Sequence, residues 1–283
     1  MLIDGRKVAN EIRAQLKEKV AKLPGRKPGL AFILIGEDPG SIAYVRMKKK
    51  GCEEVGIHSH VLHLSDKISE QELLAEIDHL NTSEEIDGIL VQQPLPKQIG
   101  LDKIVNAIDP EKDVDGFHPL NVGKLLLGQT GGLCPCTPLG IIKLLAAYDI
   151  STDGKEVVIC GRSNIVGKPL AAMLCQKSPY GNATVTLAHS HTKNLPQITK
   201  RADILISAMG SANFIQPDMV KEGAVVIDVG ISRITGPNNK SVLVGDVAFD
   251  AVAPKTSFIT PVPRGVGPMT IAMLLTNTLK AYL

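Results

Sequence analysis

The chain has 283 residues, of which 44% are hydrophobic and 21% charged, with a formal net charge of +2. That is ordinary globular composition, and the length fits two domains better than one or three. The near-neutral balance gives no reason to expect a nucleic-acid or membrane partner, and a chain with no tryptophan and 3% aromatics has little to stack on bases.

The amino end, MLIDGRKVANEIRAQLKEKV, sets Val8, Ile12, Leu16 and Val20 at steps of four among charges, which reads as an amphipathic surface helix and not as a signal peptide. No apolar run approaches the roughly 18 residues that span a bilayer. LAFILI (30–35) follows as a strand. SIAYVRMKKKGCEEVG (41–56) is predicted as a helix with Ser41 as N-cap. On its period Lys48 lies four after Tyr44, three after Val45, four before Cys52 and seven before Val55, inside the apolar stripe. Lys49 falls at the margin and Lys50 points away, while neither Glu53 nor Glu54 shares the stripe. An inward lysine without a partner loses preference for its charged form and becomes an acid or base near neutrality. The alternative is a packed stem with its ammonium in water.

SHVLHL (59–64) and GILV (88–91) are the next strands, and SEQELLAEIDHLN between them is a helix with capping-box spacing at Ser69 and Glu72. From QQPLPKQIG through DPEKDVDGFHP to GGLCPCTP, proline and glycine point to a long passage without regular structure, of the kind that carries function. TPLGIIKLLAAYDI then reads as a helix with Thr137 as N-cap and Pro138 at its first position. The strand-helix pattern restarts with EVVICG, a helix from about Lys168, TVTLA, DILISAMG, AVVIDVG and VLVGDV. GPMTIAMLLTNTLKAYL closes the chain as an apolar helix that can pack on either domain. Alternating strands and helices predict an α/β protein with parallel sheet, divided near residue 140. Five cysteines with no C-x-x-C pair point to a reducing compartment, the cytoplasm, and to no metal site. Cys134 and Cys136, separated by one proline, read as small buried or loop thiols.

VVICGRSNIVGKPLAAML (157–174) runs strand, glycine, polar turn, glycine, proline, helix. Such a turn offers backbone N–H groups and a helix N-terminus to an anion, although the usual G-x-G-x-x-G is absent and a ligand-free turn is the alternative. An NAD site places an acidic residue about 20 residues further on. TVTLAHSHT instead ends in His189, Ser190, His191 and Thr192. With Arg162 and Ser163 these residues form a basic, hydroxyl-bearing set suited to a 2′-phosphate, so NADP is favoured over NAD. VVIDVGI and TPVPRGVGPMT are further segments of the strand-end type where α/β sheets bind ligands.

Eight segments in one order, SIAYVRMKKKGCEEVGI, GILVQQPLP, PEKDVDGFHPLNVGKL, PCTPLGI, GRSNIVGKP, HSHT, DVGI and PVPRGVGPMT, closely resemble the bifunctional methylenetetrahydrofolate dehydrogenase/methenyltetrahydrofolate cyclohydrolase family, the FolD proteins. The resemblance spans essentially the whole chain. It implies a folate-binding catalytic domain over 1–139, joined by a C-terminal helix over 268–283, and a Rossmann-like NADP-binding domain over 140–267, with an active-site cleft between them. It also implies a homodimer acting on tetrahydrofolate one-carbon substrates. Lys48 matches the family's catalytic lysine in Y-x-x-x-K, Gln92 the glutamine that orients it, Tyr44 the residue that stacks on the pterin or its aryl ring, and Asp115 the folate-binding carboxylate. For the cofactor, the resemblance implies Gly161, Arg162, Ser163, Ser190 and Ile231, with Arg162 and Ser190 on the 2′-phosphate and Ile231 at the nicotinamide end.

Three positions depart from the family's pattern: Gln93 stands for a leucine, Gly51 for an alanine and Arg264 for a glycine. Arginine takes positive φ less cheaply than glycine, and its side chain has the folate's acidic tail or solvent as destinations. Two other readings compete: a dehydrogenase without the hydrolase, and a non-catalytic NADP-binding regulatory module.

Overall fold

The computed structural model describes residues 1–235 and 241–283. The chain divides into two compact units, one of Asn10–Cys136 with Ile271–Leu283, the other of Met1–Ala9 with Thr137–Thr270. The first is built on α1 (Gly5–Ala21), β1 (Gly29–Ile35), α2 (Pro39–Val55), β2 (His58–Leu64), α3 (Glu70–Thr82), β3 (Gly88–Val91), α4 (Leu101–Ala107) and α5 (Pro119–Leu126). Its three strands are parallel in the order β2-β1-β3, with Gly29 opposite His58 and Leu30 opposite Gly88. Central β1 is buried at every residue, as a strand covered on both faces must be. Leu73, Ile77 and Leu80 line one face of α3 and pack in the same core as Ala31, Ile33 and Ile35 of β1.

Two local expectations change. The N-cap of α2 is Asp38, whose carboxylate accepts from the Ser41 N–H at 2.7 Å, and Pro39 occupies the first turn. Ser41 is buried two residues inside, its hydroxyl donating to the Gln93 carbonyl at 3.3 Å. The passage read as irregular contains α4 and α5. Pro119 begins α5 where its missing N–H costs nothing, and the His118 ring accepts from the Leu120 N–H, so proline starts a helix here.

The other unit holds α6 (Cys136–Ala147), β4 (Glu156–Cys160), α7 (Gly167–Cys175), β5 (Thr184–Ala188), α8 (Leu195–Thr199), β6 (Ile204–Ser207), β7 (Val225–Asp228), β8 (Ser232–Thr235), β9 (Ser241–Val244), α9 (Phe249–Val252), β10 (Phe258–Ile259) and the start of α10 (Val266–Tyr282). Its five-stranded parallel sheet has the order β10-β7-β6-β4-β5. The chain passes from β4 to one side for β5, then returns to the other side for β6. The carboxyl ends of β4 and β6 therefore form the reversal point at which open α/β sheets bind ligands.

The helix read as capped by Thr137 begins one residue earlier, at Cys136. VLVGDV, expected to continue the parallel pattern, supplies β9, which pairs antiparallel with β8 in a separate ribbon. The fifth parallel strand is the two-residue β10. A strand that short leaves no alternation to read.

Candidate active site

Lys48 sits on α2 between the buried Val45 and Cys52, and its ammonium donates to Gln92 Oε1 at 3.0 Å. Gln92 follows β3 directly and is pinned by its backbone N–H to the Ile33 carbonyl at 2.9 Å. Its own amide donates to the Gln93 carbonyl at 2.8 Å, which leaves Oε1 facing the lysine. The amide is thus held by the sheet end and the lysine by the amide. Tyr44, one turn earlier, is 42% exposed, so it is a free ring and not a core tyrosine.

Asp115 is placed by its neighbour in DVDG. The buried Asp113 carboxylate accepts from the Gly116 N–H at 3.2 Å, the His118 N–H at 2.8 Å and Asn121 Nδ2 at 3.0 Å, folding the turn around itself. Gly116 takes φ 76°, and a Cβ there would collide with the backbone of Cys134 and Pro135. Asn277, 2% exposed on α10, donates to the carbonyls of both Val114 and Cys134 at 2.8 Å. The buried Cys136 thiol donates to the same Val114 carbonyl at 3.3 Å, and burial pushes its pKa well up, so it is a wall and not a nucleophile. Sequence reasoning missed Asp113, Asn121 and Asn277. The DVDG spacing held a hint of the first; nothing in the sequence links Asn277 to Val114 in this turn, 163 positions earlier.

The Asp115 carboxylate receives no hydrogen bond among the described residues and is partly exposed. Burial pushes it up to about 6, against the pull of the Lys48 charge and with a further push from Asp113. As read from the sequence, the lysine's own helix supplies no acid and Gln92 meets it from another segment; the structure adds the Asp115 carboxylate in its field. A cation, an amide and a free carboxylate stand together here, equipped to hold a ring of N–H donors and to move a proton beside it.

Gly51 is also explained. A Cβ there would meet Ile271 Cγ2 at 3.1 Å and Leu275 Cδ1 at 3.3 Å, so glycine lets α10 lie close on α2. Nothing in the structure explains Gln93, whose backbone carbonyl makes the contacts named above.

In the other unit, Gly161 ends β4 with φ 131°, and a Cβ there would collide with the Ala208 carbonyl. A Cβ on Gly167 would collide with the Gly161 carbonyl, so both glycines are required for the turn to close onto α7. Ser163 closes it by accepting from the Val166 N–H at 3.1 Å, while Arg162 is exposed. The first turn of α7 has no side-chain cap, but the Lys168 N–H donates to the Ser163 carbonyl at 3.1 Å and Pro169 carries no N–H, so among the described residues the Gly167 N–H is the one this turn offers an anion. Ser190 is exposed at the end of β5, next to β4, where His189 and His191 stand ring to ring at 6.2 Å and no carboxylate is present. Ile231, 44% exposed, lies three residues beyond β7. This cradle fits a dinucleotide bearing a 2′-phosphate: the diphosphate at the reversal point, the basic, hydroxyl-rich end toward β5.

Arg264 does adopt φ 89°, and its side chain is exposed to solvent, as one of the two expectations had it. Its guanidinium pairs with Asp4 Oδ2 at 3.0 Å, and its carbonyl accepts from the Arg6 N–H. The left-handed backbone costs about 1–2 kcal/mol and the exposed ion pair returns about 0.2–1 kcal/mol. Glycine adds freedom to the unfolded chain, an offset of about 0.4–1 kcal/mol. Arg264→Gly is therefore expected to stay within about 1 kcal/mol of wild type in urea unfolding; a larger loss would show that the ion pair, and not tolerance of strain, keeps arginine here.

Two family models match the chain: the catalytic domain of tetrahydrofolate dehydrogenase/cyclohydrolase over residues 3–115, and its NAD(P)-binding domain over residues 135–283. A protein described as bifunctional protein FolD from Prosthecochloris aestuarii is 54% identical over 288 aligned residues, covering 100% of this chain and 98% of its own. The crystal structure of the bifunctional enzyme FolD from Campylobacter jejuni is 52% identical with a TM-score of 0.94, covering 99% of this chain and 98% of its own. A third similar structure, at 38% identity and TM-score 0.93 over 100% of this chain and 97% of its own, is the Trypanosoma brucei methylenetetrahydrofolate dehydrogenase-cyclohydrolase complexed with NADP cofactor and inhibitor.

Proposed function

Since the chain belongs to the tetrahydrofolate dehydrogenase/cyclohydrolase family, we propose that it performs both family reactions through the residues described above. It oxidises 5,10-methylenetetrahydrofolate to the 5,10-methenyl cation with NADP and hydrolyses that cation to 10-formyltetrahydrofolate. The observation that carries the site assignment is the Lys48 ammonium held on Gln92 Oε1 at 3.0 Å with the free Asp115 carboxylate in its field.

Asp115 accepts the adjacent N–H donors of the pterin edge with its two oxygens, and Tyr44 stacks on the pterin or aryl ring. Oxidation leaves a charge shared by the two nitrogens flanking the one-carbon bridge, so it requires positioning and no strong base. Hydrolysis requires more. The attacking water loses a proton and a bridge nitrogen gains one as the ring opens, and Lys48 Nζ, oriented by Gln92, handles both. Arg162 and Ser190 would hold the 2′-phosphate, the Gly161 turn, Ser163 and the Gly167 N–H would hold the diphosphate, and Ile231 would give the nicotinamide an apolar contact. Bound NADP supplies the hydride acceptor.

The folate domain is read as 1–139 with 268–283 and the NADP domain as 140–267. The same reading makes the protein a cytoplasmic homodimer, with which its five free cysteines agree. Among the described residues no helix is long and apolar enough to cross a membrane. Purified protein mixed with methylenetetrahydrofolate and NADP is expected to form NADPH, and to hydrolyse the methenyl compound when given it without NADP, with sedimentation of the same sample reporting a dimer. NADP binding without turnover would defeat the reading, and oxidation without hydrolysis would leave the dehydrogenase alone.

A further inference from the structure

Asp228-Val229-Gly230 and Gly245-Asp246-Val247 each join an Asp-Val pair to a glycine, and the two segments interlock. A Cβ on Gly230 would collide with the Asp246 carboxylate, and a Cβ on Gly245 with that of Asp228, so each acid lies over the other segment's glycine. Asp228 Oδ1 accepts from the Asp246 N–H at 2.9 Å and Oδ2 from the Val247 N–H at 3.0 Å. Asp246, fully buried, then reaches across to β6: Oδ2 accepts from the Ser207 hydroxyl at 3.0 Å and the Met209 N–H at 2.7 Å, and Oδ1 from the Ser211 N–H at 2.7 Å. One carboxylate thus sets residues 207–211 beyond β6 and, through Gly230, the backbone leading to Ile231.

These loops occupy a defined place in the cofactor cradle. Ala208 faces Gly161 at the reversal point and donates its N–H to the Cys160 carbonyl at 2.8 Å. In the order β7-β6-β4-β5, Arg162 and Ser190 lie on the β4-β5 side. A dinucleotide with its diphosphate at the reversal point and its 2′-phosphate toward β5 extends its other end over β6 and β7.

We propose that Asp246 is a positioning residue for the nicotinamide half of the cofactor, acting through the 207–211 loop and Gly230 and contributing nothing to the adenosine half. The inference rests on the NADP reading above. An asparagine keeps one acceptor oxygen and turns an amide donor toward the N–H of either Met209 or Ser211, so at least one loop contact is lost.

Calorimetry on Asp246→Asn is expected to show at least tenfold weaker NADP binding, with adenosine 2′,5′-bisphosphate, which lacks the nicotinamide half, bound within twofold of wild type. Hydrolysis of methenyltetrahydrofolate without cofactor stays within twofold, while KM for NADP rises in step with the binding loss. NADP affinity within twofold of wild type overturns the proposal. Equal losses for NADP and the bisphosphate also overturn it, because they mark a general defect of the domain. Should Asp246→Asn fail to fold, Ser207→Ala removes one of the three donors and is expected to weaken NADP about threefold and the bisphosphate not at all; unchanged NADP binding then sinks the idea. If wild type binds NADP but neither oxidises nor hydrolyses folates, the functional reading fails while these binding results still decide the role of Asp246.

Discussion

Asp115→Asn is expected to lose both activities by a factor of at least about a hundred and to gain stability at the same time. The loss follows from exchanging a bidentate acceptor for a group whose second arm donates toward the pterin's own donors. The gain follows from the carboxyl's environment. Its folded pKa is raised from 3.8 to about 6, chiefly by burial, so the folded chain holds this proton more tightly than the unfolded chain does. Whatever the carboxyl contributes is therefore fully present below the unfolded value and is lost as pH rises through about 6. Each pKa unit is about 1.4 kcal/mol, and discounting for partial exposure leaves a cost of about 2 kcal/mol above pH 7. Urea unfolding at pH 8 checks this: the variant is expected to be the more stable by about that amount, with the advantage shrinking toward zero as pH falls from 7 to 4. A variant less stable at pH 8, or an advantage independent of pH, would show that Asp115 supports the fold and is not held at its expense.

Lys48→Gln is expected to reduce cofactor-free hydrolysis by about 10²–10⁴, the usual worth of a positioned proton-transfer group. Oxidation should fall less, because hydride loss leaves a stabilised cation and asks for no proton. The two rates are best compared at pH 8. Removing the ammonium removes the pull that lowers the Asp115 carboxyl, so nearer pH 6 the variant also loses ionised Asp115 and with it folate binding. Equal losses of hydrolysis and oxidation at pH 8 would make Lys48 a substrate-positioning residue only.

The direction of Lys48 was legible because four residues of one helix, Tyr44, Val45, Cys52 and Val55, fix a stripe whatever the rest of the fold does. β1, β3 and β4 were legible for a related reason: buried parallel strands are continuous aliphatic runs. The capping box at Ser69 and Glu72 was readable because both bonds are local. What failed was either local chemistry with two good candidates or pairing at long range. Asp38 and Ser41 are both N-cap types, and only the chain path after β1 decides between them. β9 has the composition of a sheet strand and differs only in its partner, while β10 is too short to show a period. The support of the Asp115 turn by Asn277, through the Val114 carbonyl, and the Asp246 latch join residues 163 and 39 positions apart along the chain, which no pattern on one segment records.

The central claim is that Lys48 moves protons on a folate that other groups hold. The measurement that bears on it most directly takes one preparation of Lys48→Gln at pH 8 and obtains two numbers: its affinity for tetrahydrofolate by calorimetry and its rate of methenyltetrahydrofolate hydrolysis without cofactor. The account predicts affinity within about threefold of wild type and hydrolysis lower by about a hundredfold or more. Hydrolysis near the wild-type rate, or affinity and hydrolysis falling together, would contradict it.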